Sequence, residues 1–427
     1  MFRISIFEFH ILPMLDINFI RQNLDICKKA AQDKNRQVDW DGLMAADSRR
    51  RQLIIKIEEQ RAKRNKVGKL DAEEDRRKAR VLKDEMKNSE EELRIVEDKL
   101  KTYLLTVPNI PHQSVPVGKD EKANLKVRKW GIPRVFDFPI KDHMQIGKDL
   151  DLIDFERGTK IMGFRGYFLK NEGAHLELAV LWYAFQKLAS RGFTPMIAPS
   201  LVRDFTLFGN GQFPWGKDEV YSLEKDKLYL AGTAEVPITS YFADEVLKEA
   251  ELPKKFIAFS PCFRREAGSY GKDTKGLYRL HQFNKVEQVV IAKNDEKESL
   301  NILEELLANA EEVLQDLELP YRVVLMSTGE MGEPQVKKYD IETWMPGRQA
   351  YGETMSDSFM GDFQARRLKI RYKTKDGKTL FCHTLNNTAI ASPRILIAIL
   401  ENYQEKDGSV RVPTVLQPFV GKEIIKR

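Results

Sequence analysis

Arginine, glutamate and aromatic residues gather in one stretch of the chain, Phe259 to Gln288, which reads FSPCFRREAGSYGKDTKGLYRLHQFNKVEQ. An apolar run from Phe256 to Cys262 delivers Arg264 and Glu266; a Gly- and charge-rich turn follows, and a second alternating run returns through Phe283 to Glu287. That pattern predicts a β-hairpin whose polar face carries guanidinium, carboxylate and aromatic groups. Further along, in LNNTAIASPRILIAILENYQ, Arg394 opens an apolar helix, Ile395 to Leu400. A fixed cation in a helix's first turn adds to a dipole that already favours anions. Two arginines, an aromatic plate and a helix N-terminus suit a nucleoside triphosphate.

These groups need a scaffold, and the chain supplies two kinds of sequence. From about Asp41 to Val107 there are long helical runs with almost no proline. Leu82, Met86, Leu93, Val96, Leu100, Tyr103 and Val107 follow a heptad seam interrupted by Ser89; Leu43, Leu53, Ile57 and Val67 keep a weaker register shared with Arg50, Gln60 and Arg64. Gly68 and Asp71 mark the expected reversal. Two helices joined there bury one seam and leave the rest to water, which predicts an antiparallel coiled-coil arm. Such an arm more commonly serves dimerisation or acts as a spacer; Arg49, Arg50, Arg51, Lys56, Arg61, Lys63, Arg64 and Lys66 would help it grip RNA, although charge runs are usually solvated faces.

Pro108, Pro111 and Pro116, followed by a Gly/Lys/Asp stretch, read as a linker over 116–140. From His143 the pattern turns to mixed helices and strands: a helix near Gly173 to Ser190, and strands at Lys227 to Leu230, Phe256 to Cys262, Tyr278 to Ala292, Tyr321 to Met326 and Arg367 to Tyr372. Strands in bunches without a βαβ rhythm predict an α+β domain over 141–427, an antiparallel sheet flanked by helices. Neither GxGxxG nor GxxxxGK[ST] occurs, which argues against a Rossmann or P-loop site.

With 427 residues the chain can hold two or three domains. Its net charge of +6 is compatible with a polyanionic partner without demanding one. Cys27, Cys262 and Cys382 form no spacing pattern, so neither a disulfide framework nor a zinc knuckle is expected, and a reducing cytoplasm is the simplest compartment. The N-terminal MFRISIFEFHILPM is too short and too charged to span a bilayer, and no membrane association is expected.

The two arginine stretches resemble motifs 2 and 3 of class II aminoacyl-tRNA synthetases, and RGFTPMIAPSLV, Arg191 to Val202 with Pro199, resembles motif 1. GTAEVPIT (Gly232 to Thr239), TGEMGEPQVKKYDIETW (Thr328 to Trp344) and DFQARR (Asp362 to Arg367) are similar to the bacterial type of seryl-tRNA synthetase. The resemblance starts near Met14, so residues 1–13 are expected to be an extension or an artefact of an upstream start, and 14–115 a helical arm holding tRNA.

The resemblance implies activation of L-serine with ATP to seryl-adenylate, then transfer to the 3′ end of tRNA(Ser); it leaves tRNA(Sec) open. Arg264 would bridge the α-phosphate and the substrate carboxylate, unless it is only a surface partner of Glu266. Glu266 would take the adenine amino group, Phe283 would lie under the base, and Arg394 would cover its other face and the γ-phosphate. Arg265, Leu280 and the run Glu353, Thr354, Met355 and Ser356 complete the ATP set; Glu353 and Ser356 would bind Mg²⁺. Met355 and Asp357 depart from the Ser and Cys common in the family, and Glu330 from its Asp, which puts detailed geometry in doubt. Thr233, Ala234 and Glu235 would hold the serine amino end, and Glu287 and Thr388 its hydroxyl. A site built around a hydroxyl rejects the analogue lacking it by about 10⁴–10⁵, so no editing domain is needed against alanine. The rare zinc-dependent seryl subtype needs Cys/His ligands that Cys262 and Cys382 do not supply, so no zinc is expected. Motif 1 implies a homodimer. A paralogue loading a carrier protein would have no use for the basic arm, and a non-enzymatic tRNA-binding protein would not need Arg264, Glu266, Glu287, Glu353 and Arg394 together.

Overall fold

The computed structural model describes residues 15–67, 73–269 and 275–427, which fall into two compact units divided between Ile110 and Pro111. Residues 1–13 and the expected reversal at Gly68 and Asp71 lie outside the described residues. Among the described residues no helix is long and apolar enough to cross a membrane.

The first unit is built on α1 (Trp40–Val67) and α2 (Glu73–Leu105). Leu43, Leu53 and Ile57 are buried on α1, facing Met86, Leu100 and Leu104 of α2, with Val107 buried just beyond it. Two polar residues, Gln60 and Ser89, are also buried in this seam. Cross-helix ion pairs Arg49–Glu92, Arg50–Glu97 and Arg61–Glu90 flank it. As exposed pairs each contributes about 0–1 kcal/mol at most. They do, however, occupy three of the basic residues that the sequence offered to RNA.

The second unit is organised by one eight-stranded sheet. Its strands are β1 (Leu125–Trp130), β2 (Thr194–Ile197), β3 (Lys254–Phe263), β4 (Gln282–Ala292), β5 (Tyr321–Leu325), β6 (Lys337–Met345), β7 (Ala350–Phe359) and β8 (His383–Ser392). The spatial order is β1-β5-β6-β7-β8-β4-β3-β2, antiparallel throughout except for the parallel pair β2–β3. Around it lie α3 (His143–Asp149), α4 (Asn171–Ala189), α5 (Glu296–Asp316), α6 (Phe363–Leu368) and α7 (Arg394–Asn402).

The helix α5 shows why the sheet is covered as it is. Asp295 caps it by accepting from the Glu298 amide, and Leu303, Leu306, Ala310 and Val313 recur at helical spacing, all fully buried. With the apolar faces of α4 and α7 they form one core that takes Val286 and Val290 from β4. The alternate residues of β4 point the other way. Val289 and Ile291 enter a second core with Phe256, Ala258 and Leu368, and Lys285 and Glu287 line the space beyond it.

The stretch 116–140, expected to be a linker, belongs to the second unit, and its centre forms edge strand β1, paired with β5. Every residue of β1 is exposed, and a charged edge strand discourages further strand pairing, so composition alone makes it look like connecting chain. It is held by Arg128, which donates to both Glu311 carboxylate oxygens at 2.9 Å, and by Trp130 stacked on Tyr321 at 5.8 Å. The strand expected over Arg367 to Tyr372 is also corrected. Arg367 and Leu368 end α6, Lys369 closes it with φ 56, and a short strand begins at Arg371. Arg367 is fully buried because its guanidinium donates to the carbonyls of Phe208, at 2.8 Å, and Phe213, at 3.2 Å.

Candidate active site

The expected hairpin is present as β3 and β4, registered with Phe283 opposite Cys262 and Glu287 opposite Ala258. Its return strand begins at Gln282, not Tyr278. Residues 277–280 leave the ladder and make tertiary bonds: the Leu277 amide donates to His143 Nε2 at 3.1 Å, and the Tyr278 carbonyl accepts from Arg394 Nε at 3.0 Å.

Two β-bulges set the chemistry of the floor. On β7, Met355 pairs with Ile341 and Glu353 with Glu342, leaving Thr354 as an extra residue. Residues three apart on a regular strand face opposite sides; the bulge puts Glu353 and Ser356 on the same side. On β8, Ile390 pairs with Val286 and Thr388 with Glu287, so Ala389 is the extra residue and Thr388 and Ala391 share a face. Both bulged stretches open into one cleft.

Arg264, Glu266, Leu280, Phe283, Glu353, Thr354, Met355, Ser356, Thr388 and Arg394 line this cleft together. Arg264 donates to the Gly232 carbonyl at 3.2 Å and lies 5.3 Å from the centre of the Phe283 ring. Its alternative as a mere partner of Glu266 is not realised: Glu266 binds Arg279 Nη1 at 2.7 Å. Glu266 holds φ 55, a left-handed conformation unusual for a residue with a side chain. Arg394 donates to the Glu353 carbonyl at 2.9 Å and rests over the Tyr278 ring at 4.5 Å. Burial works to raise the Glu353 carboxyl, but Arg394, Lys338 and Arg264 outweigh it and hold the group below its ordinary range. Its side chain keeps 46% of its surface open, through the mouth of the cleft.

Not every expected residue turns inward. Arg265 does not line the cleft; it sits over the Tyr221 ring at 6.0 Å. Thr354 and Met355 do border the cleft, but the Thr354 hydroxyl is bonded to Thr343 at 2.7 Å and Met355 is buried in the main core.

Beside the cleft lies a smaller polar end. Thr233 and Ala234 are buried at the start of a short helix, Glu235–Thr239. Glu235 accepts from Gln364 Nε2 at 2.7 Å. Thr388 donates to Glu287 Oε2 at 3.2 Å. The residue that joins these groups is Lys285, which sequence reasoning missed. Its ammonium lies 2.6 Å from Glu287 Oε2, 3.0 Å from the Thr233 hydroxyl and 3.4 Å from the Thr388 hydroxyl. The signal was available, since Phe283, Lys285 and Glu287 alternate on one strand face. Gln364, from the DFQARR string, also had no assigned role. A buried lysine amid two hydroxyls and a carboxylate, next to a cation-rich cleft with an aromatic plate, can receive a small zwitterion on one side and a nucleotide on the other.

A seryl-tRNA synthetase N-terminal domain model matches residues 14–111, and a class II tRNA synthetase core domain model (G, H, P, S and T) matches residues 219–403. A serine–tRNA ligase from Deinococcus radiodurans is 49% identical over 96% of this chain and 98% of its own. The chain belongs to the seryl-tRNA synthetase family. Among solved structures, a seryl-tRNA synthetase from Pyrococcus horikoshii, complexed with ATP, superposes with a TM-score of 0.92 at 40% identity, covering 96% of this chain and 99% of the other. A cytoplasmic serine–tRNA ligase from Naegleria fowleri in complex with AMP gives 0.88 at 33% identity, covering 98% and 99%. Asp357 lies outside the cleft, fully buried opposite Asn387 and away from the Glu353 and Ser356 side of the strand.

Proposed function

We propose that this protein is a serine–tRNA ligase. It activates L-serine with ATP and passes the seryl group to the 3′ end of tRNA(Ser), with tRNA(Sec) a further candidate acceptor. The observation that carries this reading is the single cleft in which Arg264, Phe283 and Arg394 adjoin a hydroxyl-reading end formed by Thr233, Lys285, Glu287 and Thr388.

In the first step a serine carboxylate oxygen attacks the α-phosphorus, and the bond to the β-phosphate bridging oxygen breaks, releasing pyrophosphate. Two anions must approach, and positioned cations supply the stabilisation; no protein nucleophile is needed. Arg264 spans the carboxylate and the α-phosphate, Phe283 supports the adenine, Glu266 accepts from its amino group, and Arg394 meets the γ-phosphate and the other face of the base. Glu235 and Thr233 hold the serine ammonium, while Glu287 and Thr388 read its hydroxyl. In the second step a ribose hydroxyl of the tRNA terminus attacks the carbonyl carbon and AMP leaves.

The residues fit Mg²⁺. Glu353 and Ser356 share a face, and Asp340, paired across the strands with Ser356, has a buried Oδ1 without a hydrogen-bond partner. Asp340 and Glu353 repel each other, which a cation would relieve. Glu353 and Ser356 would hold the ion, which when bound would neutralise phosphate charge. The helical arm of residues 14–115 would grip the tRNA through phosphates and shape; a homodimer and a cytoplasmic location complete the reading.

ATP–pyrophosphate exchange across the twenty amino acids, with Mg²⁺ and without tRNA, tests it. Exchange with serine alone is expected. Exchange with a different amino acid would overturn the pocket assignment, and none at all would remove the catalytic reading.

A further inference from the structure

One wall of the cleft is fixed from behind by a buried histidine that belongs to neither arginine stretch. His143, at the start of α3, is 8% exposed, and Glu401, near the end of α7, is 1% exposed. The Glu401 Oε1 accepts from the His143 amide at 3.0 Å and from its Nδ1 at 2.9 Å. The other ring nitrogen, Nε2, accepts from the Leu277 amide at 3.1 Å. A nitrogen that accepts an N–H bond carries no proton, so the geometry fixes the neutral tautomer with its proton on Nδ1. Glu401 Oε2 also accepts from the Gly347 amide at 2.8 Å.

The consequence lies on the cleft side. Leu277, Tyr278 and Leu280 line the cleft. The Tyr278 ring lies 4.5 Å from the Arg394 guanidinium and 4.3 Å from that of Arg348. One short segment is therefore gripped twice by α7, directly by Arg394 at the Tyr278 carbonyl and through His143 and Glu401 at the Leu277 amide. The approach is close: Gly276 has φ +75, and a Cβ there would come within 2.2 Å of His143 Nε2.

We propose that His143 is a positioning residue for ATP, holding the Leu277–Leu280 wall, and with it the Tyr278 platform under Arg394, in the geometry that accepts the nucleotide. This rests on the reading of the cleft as the ATP site. The two ring nitrogens can be tested separately, because an asparagine amide stands near the Nδ1 position and a glutamine amide near Nε2. His143→Asn keeps the bond to Glu401 and strands the Leu277 amide; His143→Gln keeps an acceptor for Leu277.

The measurement is the KM for ATP and the kcat of serine-dependent pyrophosphate exchange for the wild type, His143→Gln, His143→Asn and His143→Ala, alongside each protein's Tm. We expect the ATP KM to rise about threefold in the glutamine variant and about tenfold or more in the asparagine and alanine variants, with the serine KM little changed. Recovery by asparagine rather than glutamine would overturn the proposal, as would lower Tm values with an unchanged ATP KM. Should the alanine variant fail to fold, the comparison of the two amides still decides. A wild type without exchange would instead overturn the ATP reading on which the proposal stands.

Discussion

Burial raises the Glu235 carboxyl to about 7; the Gln364 hydrogen bond and the charges of Lys285 and Arg264 oppose the rise, and Glu287 adds to it. An acid whose folded value lies above its unfolded one favours folding most below the unfolded value, and that contribution is lost as pH climbs toward 7. Binding has the opposite sign, because only the ionised carboxylate attracts the serine ammonium. The serine KM should therefore rise by about tenfold per pH unit below about 7 and level off above it. Steady-state exchange from pH 5.5 to 8.5 measures this, and Glu235→Gln should give a weak-binding, flat profile. Asp357 carries a different expectation. Burial raises its carboxyl well above the ordinary range, against the Asn387 bond, and its Oδ2 has no hydrogen-bond partner. Asp357→Asn should stabilise the fold by about 1 kcal/mol at pH 8, measured by urea unfolding, with less gain near pH 4 where the acid is already protonated. At this scale Arg264, Glu266, Phe283, Glu353 and Arg394 were legible because motif strings carry them. Lys285 was passed over because a lysine in a strand reads as solvent-facing until its neighbours are known. Tyr278 was misplaced because alternation continues through it, whereas Arg394 binds its carbonyl and His143 binds the neighbouring Leu277 amide.

Among elements, the strands and long helices could be read from periodicity, while the features that aim the site could not. The bulges at Thr354 and Ala389 depend on how two strands pair, and no local pattern distinguishes ETMS with a bulge from ETMS without one. Edge strand β1 was read as a linker for the complementary reason, since its exposed charges carry no burial signal. The arm gives the converse case, where the heptads were legible and the duty of each charge was not. Arg49, Arg50 and Arg61 are committed across the seam, whereas Lys56, Lys63, Arg64 and Lys66 are exposed and form no ion pair among the described residues. The second group is the one free to meet phosphates. Changing Lys56, Lys63, Arg64 and Lys66 together to Gln should lower kcat/KM for tRNA charging by tenfold or more and flatten its salt dependence by about one unit of slope per lost contact. Serine-dependent exchange should stay at the wild-type rate. Equal charging by wild type and variant across a salt series would assign the RNA grip elsewhere.

For the whole molecule, the cores take up most of the described apolar residues and leave others on the surface. Helix α4 buries Leu176, Val180, Ala184 and Leu188 against the sheet, yet Leu178 and Trp182 point outward with 65% and 50% exposure. Trp182 stacks on Phe185 at 5.7 Å. Strand β2, within the string that resembles motif 1, is the last strand of the sheet, and its Ile197 is 82% exposed. An uncovered edge strand beside outward apolar side chains is a surface that folded chains normally cover. A second copy related by a two-fold axis would cover the same patch on both chains at once. Sedimentation equilibrium at micromolar concentration should therefore give twice the single-chain mass. Ile197→Glu combined with Trp182→Glu should shift the species to the single-chain mass. Because β2 pairs with β3, which delivers Arg264, the separated chains should also lose exchange activity by about tenfold or more, the range expected when a positioning element shifts by an ångström. A wild type that sediments as one chain would remove the dimer, and a monomeric variant with full exchange would show that the hairpin holds Arg264 in place without help from a second copy.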